Sequence, residues 1–131
     1  TGDRDGGDDW GVGAMISLDG GLSWETKNVG MGERTVGMFA QHLSTPDTVF
    51  ADADGGIYKT TDFGESWIKV SPNEQSENFR DIRYKPGSRE VLYTSSNIGF
   101  YRTEDGGESY SVLYSPEQQT LCWKRRRNLL Y

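Results

Sequence analysis

Hydrophobic and polar residues along this chain alternate in short runs instead of recurring every third and fourth position. Val36 to Leu43, Val49 to Ala53, Ile57 to Thr60 and Phe79 to Tyr84 are β-branched and aromatic stretches, and glycine, proline, aspartate and serine separate them. Runs of this length and period read as β-strands joined by tight turns. One unit of four strands is predicted over 35–43, 48–53, 56–61 and 66–70, and a second over 79–84, 90–95, 98–103 and 109–114. The segments Ser44-Thr-Pro46-Asp47 and Lys85-Pro86-Gly87-Ser88 read as turns. No stretch carries the spacing of an amphipathic helix.

The two units are copies of one another at a shift of 43 residues, and a third, partial copy precedes them. The shared core is Ser17-Leu-Asp19-Gly-Gly21-Leu-Ser23-Trp24, then Thr60-Thr-Asp62-Phe-Gly64-Glu-Ser66-Trp67, then Thr103-Glu-Asp105-Gly-Gly107-Glu-Ser109-Tyr110. Gly13, Gly56 and Gly99 share a phase, as do Met15, Tyr58 and Tyr101. Four strands in a period of roughly 40 to 50 residues is the arithmetic of a propeller blade. The expected fold is therefore all-β, a segment of about two and a half to three four-stranded β-propeller blades: a partial blade over 1–33, blades over 34–76 and 77–114, and an irregular tail over 115–131.

Within each core the chemistry points to a locked turn. A carboxylate accepts hydrogen bonds from backbone N–H groups a few residues on, and glycine adopts the positive φ that other residues resist. The hydroxyls at both ends bond within the same loop, and Trp24, Trp67 and Tyr110 offer an apolar cover. Asp19, Asp62 and Asp105 are thus read as structural, together with Gly21, Gly64, Gly107 and the flanking Ser17, Ser23, Thr60, Ser66, Thr103 and Ser109.

The three cores resemble the Asp-box, or bacterial neuraminidase repeat, Ser/Thr-x-Asp-x-Gly-x-Ser/Thr-Trp, with Tyr110 in place of the last Trp. The phrases Gly56-Ile-Tyr58-Lys-Thr60 and Gly99-Phe-Tyr101-Arg-Thr103 look like those of sortilin-like propellers, and also of xyloglucan-cleaving glycosidases and plastid photosystem assembly factors. The opening Thr1-Gly-Asp3-Arg-Asp5-Gly-Gly-Asp8 is most similar to secreted bacterial sortilin-type proteins. The resemblance implies a secreted or cell-surface scaffold that binds a glycan or an extracellular protein, and a segment of a longer chain that meets further blades. It runs from residue 1 to about 114; Leu121-Cys122-Trp-Lys-Arg-Arg-Arg-Asn-Leu-Leu-Tyr131 departs from it.

Composition narrows the partners. The formal net charge of −6 becomes −10 once Lys124 to Arg127 are set aside, a field that repels phosphate backbones and anionic membranes. Nucleic acid is excluded as a general partner, and no apolar run is long enough for a membrane span. A single Cys allows no internal disulfide and a single His no multi-histidine zinc site.

In the predicted topology the acidic turns lie at one end of each blade, and the loops at 3–11, 52–55 and 95–98, together with those at 28–33 and 71–78, at the other. Asp3, Asp5, Asp8, Asp9 and Trp10, with Asp52 and Asp54, are the candidate ligand-binding residues. No catalytic residue and no metal ligand is assigned, and no cofactor is required; Ca2+ in the 3–9 loop is the alternative, although the EF-hand spacing fails there. Glycoside hydrolysis is the enzyme rival, since it needs two carboxyls roughly 5–9.5 Å apart. A xyloglucanase-like activity is the form of it the resemblance favours; a sialidase would need an arginine cluster and a Tyr nucleophile as well, and although Arg34, Arg80 and Arg83 stand near the starts of first strands, no arginine motif of that family precedes the first turn. An assembly factor is the third reading.

Overall fold

A computed structural model describes residues 11–72 and 78–114; Asp3, Asp5, Asp8, Asp9, Trp10 and the 115–131 tail with Cys122 lie outside the described residues. Ten strands follow one another: β1 (Met15–Ile16), β2 (Glu25–Thr26), β3 (Val36–His42), β4 (Thr45–Ala53), β5 (Gly56–Thr60), β6 (Ile68–Lys69), β7 (Phe79–Tyr84), β8 (Leu92–Ser96), β9 (Phe100–Thr103) and β10 (Ser111–Tyr114). All are antiparallel to their neighbours. β1 and β2 form a hairpin, β3 to β6 a four-stranded meander, and β7 to β10 a second meander in the same order. Among the described residues there is no helix, and so none long and apolar enough to cross a membrane.

Two predicted boundaries move. The turn read at 44–47 shrinks to Leu43-Ser44, and β4 begins at Thr45, because a bulge between Gln41 and His42 absorbs Pro46, Asp47 and Thr48. Proline lacks the N–H that a regular ladder requires and is tolerated where the register breaks. The fourth strands start at Ile68 and Ser111 instead of 66 and 109, since Ser66 and Ser109 are held inside their turns by hydrogen bonds to Asp62 and Asp105.

The sheets stack through two apolar layers. Ala14 and Met31 of the leading unit meet Val36, Ala51, Ala53, Tyr58 and Trp67 of the β3–β6 sheet. The other face of that sheet gives Ala40, Phe50 and Ile57 to Phe79, Ile82, Leu92 and Tyr101 of the β7–β10 sheet. Register explains the sorting: Ala51 pairs with Tyr58 and faces the leading unit, while Phe50 pairs with Lys59 and Ala40 and faces the following one. β3, β4 and β5 therefore each serve two interfaces, which is why their pattern is less polar than a half-solvated strand would be.

Candidate functional site

The three acidic turns share one set of bonds. In the second, the Thr60 hydroxyl donates to Asp62 Oδ1 at 2.6 Å and accepts from the Gly64 N–H at 2.9 Å, while Asp62 accepts from the Ser66 N–H at 2.9 Å and its hydroxyl at 2.7 Å. Ser17, Asp19, Gly21 and Ser23 repeat this set, as do Thr103, Asp105, Gly107 and Ser109. These bonds hold the three carboxyls at about 2, below the usual aspartate range; the largest contribution comes from the hydroxyl of Ser23, Thr60 and Ser109 respectively.

The aromatic residues of the turns differ. Trp24 is exposed and donates to the Gly21 carbonyl of its own turn at 3.1 Å. Trp67 is buried and reaches across to the Lys27 carbonyl at 2.7 Å, tying the β3–β6 sheet to the leading unit. Burial also raises the Tyr110 phenol well above its ordinary value.

At the opposite end of the sheets lies a cleft of about 570 Å3 lined by Thr35, Gly37, Asp52, Asp54, Asn78, Phe79 and Arg80. Two of the candidate residues, Asp52 and Asp54, meet here. A bulge in each first strand builds the cleft: Gly37 is the extra residue between the pairs Val36–Ala53 and Met38–Asp52, and Arg80 is the extra residue between Phe79–Ser96 and Asp81–Ser95. A bulge turns its residue out of the ladder and bends the strand. Gly37 and Arg80 are 43 residues apart, and both are exposed.

Asp52 occupies the space that Gly37 leaves. Its Oδ1 accepts from the N–H groups of Gly37 at 2.9 Å and Met38 at 2.8 Å, and a Cβ added to Gly37 would fall 2.5 Å from that oxygen. The residue is 2% exposed, and its Oδ2 has no hydrogen-bond partner among the described residues. Burial drives the carboxyl above the ordinary aspartate range, the two N–H donors oppose this, and Asp81 and Asp54 add to the rise. Asp54 is exposed at the lip, where the Arg34 guanidinium bonds its main-chain carbonyl at 2.9 Å.

Sequence reasoning put the loop ending at Asn78 at this end of the sheets and Arg80 at the start of a first strand, but it missed Thr35 and Gly37 and that the four share one cleft. The signal was present in part, since the 43-residue shift pairs Gly37 with Arg80, but the bulges that aim them are a matter of register. Among the described residues no group of three or more His, Cys, Asp or Glu is arranged to hold a metal ion.

No protein-family model matches the chain, and no curated protein does. Solved structures do. It is similar to YCF48 bound to D1 peptide, with a TM-score of 0.61 and 22% identity over 79% of this chain and 35% of that one. It is also similar to YCF48 from Cyanidioschyzon merolae, with a TM-score of 0.50 and 20% identity over 63% of this chain and 25% of that one. The chain thus spans about a third of the first and a quarter of the second. Four-stranded antiparallel meanders stacked face to face, matching these propellers, make the chain a β-propeller segment.

Proposed function

We propose that the chain is part of a protein-binding propeller scaffold, and that the cleft between the first strands of its two full sheets receives an extended polypeptide. The observation that carries this reading is the cleft itself: the two bulges turn Gly37 and Arg80 out to solvent along it, Asp54 stands exposed at its lip, and the buried Asp52 closes its floor. That mixture of charge, an aromatic wall at Phe79 and accessible backbone suits a peptide, whose own amides alternate donors and acceptors. The fold shared with YCF48, solved with a D1 peptide, supports it.

The likeness to sortilin-type propellers favours action outside the cell or at its surface. A glycan is the competing ligand class for the same end of the sheets, and the loop with Asp3, Asp5, Asp8, Asp9 and Trp10 would extend that end, with Ca2+ as the ion it would take.

An array of overlapping 15-residue peptides from extracellular proteins, read with labelled chain, tests the proposal; the strongest binder is then titrated by fluorescence anisotropy. Saturable binding that Arg80→Ala weakens at least fivefold, and that the exposed Lys85→Ala at the other end leaves unchanged, is the expected result. Absence of saturable binding, or equal loss in both variants, would contradict it. Binding confined to a parallel oligosaccharide array would transfer the site to glycans.

A further inference from the structure

The two bulges that frame the cleft differ in charge at matching positions. At the 43-residue shift Arg80 stands where the first sheet has Gly37, and Ser95 and Asn97 stand where it has Asp52 and Asp54. The second bulge thus brings a cation and no carboxylate to the cleft, and the first brings two carboxylates and no cation. Arg34, at the same end, does not make up the difference. Its guanidinium donates to the main-chain carbonyls of Met31 and Asp54 and lies 5.6 Å from the Tyr58 ring centroid.

Asp52 is left with an unmet requirement. Its Oδ1 already accepts two N–H groups, while the buried Oδ2 has no partner among the described residues, and a buried carboxylate oxygen without a donor is costly. Gly37 keeps the way to it open. This residue is exposed, and the Cβ it lacks would lie 2.5 Å from Oδ1 and 3.4 Å from Oδ2. A ligand atom that takes the absent Cβ's place therefore touches the carboxylate. Asp54 and Asp81 add negative potential at the same point, so the group that fits is a cation. A metal ion would need several oxygen ligands, and no such group is arranged among the described residues. A guanidinium pairs best through two parallel bonds to both carboxylate oxygens, and here Oδ1 is taken. An ammonium is compact and meets a single oxygen, with donors left over for the Asp54 carboxylate and water.

We infer, on the basis that the cleft receives a polypeptide, that the bound segment inserts a lysine side chain over Gly37 and that its ammonium donates to Asp52 Oδ2 beside the Asp54 carboxylate. The ligand supplies in the first bulge the positive charge that Arg80 supplies in the second. Asp52 then determines which polypeptides bind, and the missing side chain at Gly37 is the entry it requires.

The test resynthesises the strongest array peptide with each lysine in turn replaced by norleucine, which keeps the stem without the charge. In fluorescence anisotropy one replacement is expected to weaken binding to the parent chain about tenfold and binding to Asp52→Asn less than twofold, because the amide sets a donor where Oδ2 stood. A strongest binder without lysine, equal losses in both proteins, or arginine serving as well as lysine would overturn the inference and leave the cleft a peptide site. Absence of any saturable peptide binding would remove both. A smaller probe separates the two without a peptide: N-acetyl-lysine N-methylamide at millimolar concentration should shift the Gly37 and Met38 amide resonances saturably in the parent and not in Asp52→Asn. Equal shifts from the norleucine analogue, or none from the lysine probe, would contradict the inference.

Discussion

Phe63 is the only residue other than glycine with positive φ among the described residues, at 58°, and it sits at the phase where the other two turns have Gly20 and Gly106. An L-residue in the left-handed region costs about 1–2 kcal/mol, whereas glycine there costs only its extra chain entropy, about 0.5–1 kcal/mol. The ring is half exposed and borders an apolar trough of about 270 Å3 with Met15, Phe39 and Trp67, so removing it forfeits on the order of 1 kcal/mol of burial. Phe63→Ala keeps the strain and loses the ring, a net loss of about 1 kcal/mol. Phe63→Gly loses the ring, relieves the strain and adds entropy, and so should match the parent to within about 0.5 kcal/mol. Equilibrium urea unfolding followed by tryptophan fluorescence measures both. At an ordinary position Ala is the more stable of the two by about 0.5–1 kcal/mol; here Gly should lead by about that amount. An Ala variant as stable as the Gly variant would refute the strained turn.

Three further outcomes follow from the charges. Asp19, Asp62 and Asp105 have folded values depressed to about 2, so their contribution to stability is fully present above the ordinary 3.8 and is lost as pH falls through that window; unfolding midpoints measured from pH 5 to pH 2 should drop most steeply there, and less so in Ser66→Ala. Asp52 has the opposite sign, because its folded value is raised: it favours folding in acid and loses that advantage as pH rises above 3.8, so Asp52→Asn, which keeps the Oδ1 acceptor, should stabilise the chain at pH 7 relative to its effect at pH 3. Lys59→Met should cost about 1–2 kcal/mol through the lost bond to the Gly106 carbonyl and the lost ring contact, read by the same urea titration.

Most of the architecture was legible because the period imposes it. Four alternating runs and one glycine-rich turn, repeated at 43 residues, specify which strands pair and which end of a sheet each loop occupies. What the residues did not disclose was register. The bulges at Gly37 and Arg80 lie inside runs that read as regular strands, and a one-residue slip reverses which side chains face the neighbour. Asp52 looked like a loop carboxylate, yet it closes the first bulge, and only the pairing with Met38 reveals that role. Likewise Trp67 was read as a cover for its own turn, whereas its indole N–H reaches the preceding unit, a contact that depends on how sheets stack.

The central claim is that the bulge end of the sheets, and not the acidic-turn end, engages a polypeptide. Backbone amide shift mapping of 15N-labelled chain, titrated with the strongest array peptide, tests it most directly. The account predicts that perturbed amides gather at Thr35, Gly37, Asp54, Asn78 and Arg80. Perturbations gathered instead at Asp19, Asp62 and Asp105 and their turns would contradict it.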